Sequence, residues 1–223
     1  MRWPPLARRR EVWVPTASGW LVMLGVISTA AALAICSLYD FLALNEPVGA
    51  KVLVVEGWMA PQELQQAVDR FKRGGYERAI TTGGPLPRWF EEEDAGSFAE
   101  RAREFLVARG VPPEAVVAVH LPRMPIRNRT YLSALAVKQW TQDQGVTLRA
   151  LEVMSAGAHA RRSRFLYEVA FGSSVRVGCF AADPVEYDPG TWWLSSAGAG
   201  DVVEQLIAFA WVKAFFWPAE RFR

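Results

Sequence analysis

Two cysteines, Cys36 and Cys179, and two histidines, His120 and His159, are all that the 223-residue chain offers of the side chains that most often build disulfides and transition-metal sites. Cys36 lies inside an apolar run and Cys179 far beyond it, so a disulfide between them is not expected and cysteine usage identifies no redox compartment. Without a paired-cysteine spacing a structural zinc site is not expected either, although carboxylates leave a hard cation open. Three common templates are missing as well. There is no G-x-G-x-x-G at the first strand-to-helix turn, no G-x-x-x-x-G-K-[ST] loop and no G-x-S-x-G elbow. Charge imbalance is absent from the body of the chain. Of 25 Lys and Arg and 23 Asp and Glu, four and two lie before residue 45, which leaves 21 of each, so the net charge of +2 comes from the N-terminal arm. A neutral domain without a basic stripe or an RNA-type aromatic motif excludes nucleic acid as an expected partner.

What the chain does have begins with apolar length. Residues 1–16, MRWPPLARRREVWVPT, form a basic arm with four arginines and one acid. From Ala17 to Leu38 no residue is charged, and at ~1.5 Å per residue such a run crosses a ~30 Å hydrocarbon core. Trp13 and Trp20 on one side and Tyr39 and Phe41 on the other suit interfacial anchoring of a transmembrane helix over residues 17–39. Ala32-Leu33-Ala34 fits a signal-cleavage pattern and Leu33-Ala34-Ile35-Cys36 approaches a lipoprotein box. The bulky Ile35 and the length of the run favour a retained anchor instead. Arg8-Arg9-Arg10 places the arm in the cytoplasm, hence a single pass through the inner (plasma) membrane and a periplasmic or other extracytoplasmic domain. Residues 40–50, ending in NEPVGA, are expected to be a short polar linker.

Beyond it, strand and helix patterns alternate. Lys51–Val55 is a valine-rich strand, Pro61–Arg73 an amphipathic helix stopped by Gly74-Gly75, and Arg78–Thr82 a strand running into Gly83-Gly84-Pro85. A helix is expected over Glu91–Arg109, its acidic cluster Glu91-Glu92-Glu93-Asp94 complementing the helix dipole. Strand Ala115–His120, helix Arg129–Gln144, strand Leu148–Met154, helix Ala158–Phe171 and strand Val175–Phe180 follow. The alternation predicts an α/β fold: a Rossmann-like three-layer α/β/α sandwich with a mainly parallel sheet over residues 51–217, followed by a tail at 218–223. The apolar segment Asp201–Trp217 is expected to be a helix covering the sheet near its edge, with membrane contact by Phe215, Phe216 and Trp217 as the alternative.

Ligands of such folds bind at the carboxyl ends of the strands, so the candidate residues are those at the strand tips. Gly57, Thr82, Gly83 and Gly84 allow close backbone approach and a nest of N–H groups for an anion. Ser155 ends a strand before the small-residue turn that leads to His159, Arg161 and Arg162. His159 and Arg162 share a helix face by i,i+3 spacing, His159 suiting proton transfer and the arginines suiting negative charge. Arg129 and Thr130 open another helix, with Asn128 as its expected cap. Glu56 ends an apolar strand, where an unpaired acid is costly. An arginine partner is expected for it, and Glu56 and His159 are the candidate catalytic pair.

Val54-Val55-Glu56-Gly57-Trp58, Thr81-Thr82-Gly83-Gly84-Pro85, Arg129-Thr130-Tyr131 with Ser133-Ala134-Leu135, and Ser155 through Ser163 together resemble the ElyC/SanA/YdcF family of envelope-associated proteins, over about Lys51 to Phe216. The resemblance implies a Rossmann-like domain behind an N-terminal membrane helix, linked to cell-envelope integrity and peptidoglycan or lipid-carrier metabolism. One branch is associated with S-adenosylmethionine; no reaction is implied, and the cofactor stays unknown. It also maps the family's Gly-Gly turn onto Gly83 and Gly84, its threonine onto Thr130, and its His-Arg segment onto His159, Arg161 and Arg162. An Arg and a Glu expected within Trp192–Gly198 are replaced here, where the segment has Leu194 and Ala197. Two readings follow. In one the domain binds or processes an anionic small molecule or a lipid-linked envelope precursor; in the other it is a non-catalytic scaffold for envelope-assembly proteins, using the aromatic surface around Trp192, Trp193 and Trp217.

Overall fold

A computed structural model describes residues 13–86, 96–121 and 127–216. By its internal contacts the chain forms two units, Met1–Ser37 and Leu38–Arg223. The first consists of most of helix α1 (Ala17–Leu42), which is long and apolar enough to cross a membrane. The last turn of α1 belongs to the second unit.

The second unit is the expected α/β fold. Strands β1 (Val52–Glu56), β2 (Arg78–Gly83), β3 (Val116–His120), β4 (Ala150–Ala156) and β5 (Arg176–Ala182) form one sheet, all parallel, in the order β3-β2-β1-β4-β5. Alternation along each strand sorts the core into two layers. Val54, Ile80 and Val153 meet helices α4 (Arg129–Asp143) and α5 (Ala160–Phe171), while Leu53, Val55 and Met154 meet α2 (Pro61–Gly74) and α3 (Phe98–Ala108). Because both faces are covered, the strands are mostly apolar along their length rather than alternating. Helix α6 (Ser196–Phe215) joins the α4 and α5 side.

Several boundaries differ from the sequence pattern, and side-chain caps explain two of them. Ser97 starts α3, its Oγ accepting the Glu100 N–H at 3.0 Å. The helix expected from Glu91 therefore begins at Phe98, and the acidic cluster at 91–94 lies outside the described residues. Ser195 starts α6 in the same way, its Oγ accepting the Gly198 N–H at 3.0 Å. That moves the start of this helix ahead of Asp201, and Trp217 lies outside the described residues. The turn expected to open α5 at Ala158 is a 3-10 turn, Gly157–His159. Trp192 is buried, which removes it from the aromatic surface expected of it, whereas Trp193 is partly exposed. Both cysteines are free; burial, the larger cause, pushes the Cys179 thiol up to about 12.

The expected linker is the largest difference. The helix runs on to Leu42, and Leu42, Ala43 and Leu44 are buried in the domain. Glu46 then pairs antiparallel with Cys179, the two exchanging N–H···O bonds of 2.9 and 3.0 Å. The next turn is held by one buried carboxylate. Glu152 Oε1 accepts the N–H groups of Val48 and Gly49 at 2.8 Å and of Ala50 at 3.2 Å, and Oε2 accepts the Tyr76 hydroxyl. Residues 43–50 are thus a strap on the domain.

A carboxylate with this many donors is costly to remove, since hydrogen bonds to charged groups contribute about 1.5–3 kcal/mol each and the donors would be left buried. Glu152→Ala is expected to lower unfolding free energy by about 3 kcal/mol or more, and Tyr76→Phe by about 1–2 kcal/mol. Denaturant unfolding of the detergent-solubilised chain measures both; an Ala variant as stable as the parent would contradict the strap's dependence on Glu152.

Candidate functional site

Sheet order reverses between β1 and β4, the place where folds of this class open a crevice at the strand ends. Strand parity decides which side chains reach it. Glu56 follows Val52 and Val54 on the face covered by α5, and Ser155 follows Leu151 and Val153 on the same face. Helix periodicity supplies the rest: His159, Ser163 and Tyr167, spaced by four, turn one side of α5 toward the sheet.

These residues form one hydrogen-bonded cluster. The Ser155 hydroxyl donates to Glu56 Oε2 at 2.5 Å and the Ser163 hydroxyl to Oε1 at 3.0 Å. His159 Nδ1 lies 2.9 Å from Ser155 Oγ, 2.6 Å from Ser163 Oγ and 3.4 Å from Glu56 Oε2. An ionised carboxylate only accepts, and the arrangement that satisfies both of its oxygens directs both serine protons to Glu56. In that arrangement the serine oxygens accept from the imidazole, with the histidine proton on Nδ1. Nε2 makes no hydrogen bond among the described residues and is not among their sealed polar atoms. In the neutral ring it carries the lone pair. Trp58 packs edge-on against the ring, with centroids 5.1 Å apart, and holds its plane.

Burial alone would raise the Glu56 pKa, but the His159 charge and hydrogen bond, with those of Ser155 and Ser163, outweigh it and hold the carboxyl below its ordinary range. The partner expected for Glu56 was an arginine. Arg162 instead directs its guanidinium to Gln205 Oε1 on α6, with bonds of 3.2 and 2.9 Å, and reaches Glu56 only through space. Burial lowers the Arg162 pKa while Glu56 and Glu204 oppose that, and a guanidinium keeps its charge under such shifts. Beneath the cluster, the buried Tyr167 hydroxyl is within electrostatic reach of Glu56 and Thr82 but makes no hydrogen bond of normal geometry.

Above it opens a cavity of about 950 Å³. Of the residues singled out from sequence, Glu56, Thr82, Gly83, Gly84, Arg129, Thr130, His159 and Arg162 line it. Three do not. Gly57 is there for packing: a Cβ would meet the Phe98 carbonyl oxygen at 2.3 Å and the Thr82 oxygen at 2.8 Å. Ser155 is fully buried below the floor and acts only through Glu56 and His159. Arg161 turns away, bonding the Phe41 carbonyl and lying over its ring at 4.0 Å. Asn128 also departs from expectation. It sits at the cap position of α4 in a left-handed conformation, φ 59°, and its side chain makes no capping bond. Leu194 and Ala197, the replaced positions, are not part of the lining.

Sequence reasoning missed Ser163, Trp58, Gln205 and the α6 wall of Val203, Ile207 and Trp211. Ser155, His159 and Ser163 are spaced by four, a signal that could have found Ser163; nothing local marks Gln205. Among the described residues no three of His, Cys, Asp and Glu come together as a metal site. No protein-family model, curated protein or solved structure matches the chain.

The sign of the Glu56 shift has a measurable consequence. A depressed folded pKa contributes stability that is present above the ordinary value of 4.5 and lost as pH falls through the folded pKa. In His159→Ala the largest opposing cause is gone, burial dominates, and the Glu56 contribution changes sign. The stability gap between parent and variant is expected to widen from about pH 3 to pH 6. Melting temperatures across that range test it; a gap independent of pH would remove Glu56 as the group coupled to His159.

Proposed function

We propose that this chain is a membrane-anchored cell-envelope protein whose α/β domain, on the extracytoplasmic side, binds a phosphorylated or otherwise anionic envelope metabolite and processes it by proton transfer at His159 Nε2. The observation that carries the reading is the Glu56, Ser155, Ser163 and His159 cluster, which aims one imidazole nitrogen into a cavity that also holds Arg162. In such a site Arg162, fixed by Gln205, takes the negative charge, and Arg129 adds a second cation at an exposed position. His159 takes or returns a proton. Glu56, Ser155 and Ser163 are positioning residues: they fix the tautomer and stabilise the imidazolium when Nε2 is protonated.

The cavity also bears on ligand size. Its volume falls within the range that holds a drug-sized molecule, and one wall is apolar. A head group with negative charge at the strand tips and a larger body along α6 fits both facts, as in a sugar phosphate or a lipid-linked precursor. The anchor reading rests on α1 and on Arg8-Arg9-Arg10 before it, and the envelope reading on the family resemblance. A scaffold without a ligand is disfavoured by the open, polar-floored cavity.

A thermal-shift screen of the full chain in detergent against inorganic phosphate, sugar phosphates, polyprenyl phosphates and nucleotides tests the reading, since a ligand of the folded state raises the melting temperature. A phosphorylated compound is expected to bind, with affinity about tenfold or more weaker in Arg162→Ala. His159→Ala is expected to keep binding and lose turnover of that compound by about 10²-fold or more. Full affinity in Arg162→Ala would overturn the binding assignment, and undiminished turnover in His159→Ala the catalytic one.

A further inference from the structure

Helix α6 has two apolar sides, and the hydrophobic core takes only one. Val202 and Val212 are buried inward, with Leu206 and Phe209 packed beside them. On the other side Val203, Ile207, Trp211 and Phe215 recur every four residues and stay 45, 63, 49 and 68% exposed. The turn before the helix adds Leu194, 76% exposed. A contiguous apolar face of this kind marks a protein or membrane contact rather than ordinary surface.

The chain's own course says which. The charge-free run of α1 ends at Leu38, and the residues that follow it are fastened to α6. Tyr39, Leu42 and Ala43 pack with Val202, Leu206 and Phe209, and the Phe41 ring meets Phe209 edge-on with centroids 5.9 Å apart. No free linker separates the apolar run from this contact. Whatever membrane the run crosses, α6 is tied within a few residues of its end. Trp211 among aliphatic side chains, with Lys213 in the last turn of the same helix, suits an interfacial helix, in which aromatic and basic groups sit at the head-group level.

We infer that the Val203, Ile207, Trp211 and Phe215 face of α6 rests in the interfacial layer of the same bilayer, a second contact beyond the membrane span. The inference does not depend on the ligand proposed above. It adds that Val203, Ile207 and Trp211, which also wall the cavity, bring the cavity's apolar side to the lipid.

Nitroxide labels on the full chain test it. In a Cys36→Ser background, with buried Cys179 as the unlabelled control, single cysteines are placed by Ile207→Cys, Phe215→Cys and, on exposed α3 surface, Glu104→Cys. The chain is reconstituted in vesicles of phosphatidylethanolamine and phosphatidylglycerol, and collision with oxygen, enriched in lipid, is compared with collision with a water-soluble nickel chelate. Labels at 207 and 215 are expected to favour oxygen several-fold over the label at 104. Equal access to the chelate at all three positions would overturn the inference. So would exclusion of both reagents at 207 and 215, which would show a protein cover; dipolar broadening there would identify that cover as a second copy of the chain.

Discussion

A carboxylate buried at the switch point of a parallel sheet sets the terms for everything around it. Taking Glu56 out of water costs several kcal/mol unless charge and hydrogen bonds replace the lost hydration. Two serine hydroxyls and an imidazole do so here. Each of those groups is thereby fixed: Ser155 at the end of β4, Ser163 in α5, and His159 in the turn between them. The cluster ties β1, β4 and α5 together at the strand tips. It also leaves one nitrogen, Nε2, free to meet a ligand. Structural need and chemical capacity come from the same bonds.

A second buried carboxylate does the corresponding task on the opposite face. Glu152 is the neighbour in sequence of Val153 and points away from the Glu56 side, so parity separates the two acids by one sheet. Where Glu56 organises side chains, Glu152 organises backbone, gathering three successive N–H groups of the strap. The consequence reaches the last turn of α1, which belongs to the same unit. A chain entering through a floppy linker could turn freely; one pinned at Glu46, Val48, Gly49 and Ala50 delivers Phe41 against α6 in one place. The site, the strap and the apolar face of α6 are then parts of one arrangement.

Local patterns were enough to read the layers. Valine-rich runs ended by glycine, and apolar spacing in the helices, gave five strands, a parallel sheet and strand tips that gather Glu56, Thr82, Gly83, Gly84, His159 and Arg162 at one cavity. Partners distant in sequence were not legible. Residues 45–50 look like a linker because Asn45, Glu46, Pro47 and Gly49 are polar or turn-forming, and only partners more than a hundred residues on, Glu152 and Cys179, make them a strap. The same holds for Gln205, which intercepts the arginine expected for Glu56. Gly57 and Arg161 were misplaced for another reason: neighbours at a strand tip share a location but not a direction, and the next residue along a strand or helix faces elsewhere.

Glu56, through two serines, is expected to hold the His159 proton on Nδ1 and leave Nε2 unprotonated. Nitrogen-15 NMR of the histidine side chains measures this directly, with His120→Gln removing the only other imidazole. Neutral His159 is expected to be the Nδ1–H tautomer, with an unprotonated Nε2, and Glu56→Gln to abolish that preference. An Nε2–H tautomer in the parent protein would contradict it.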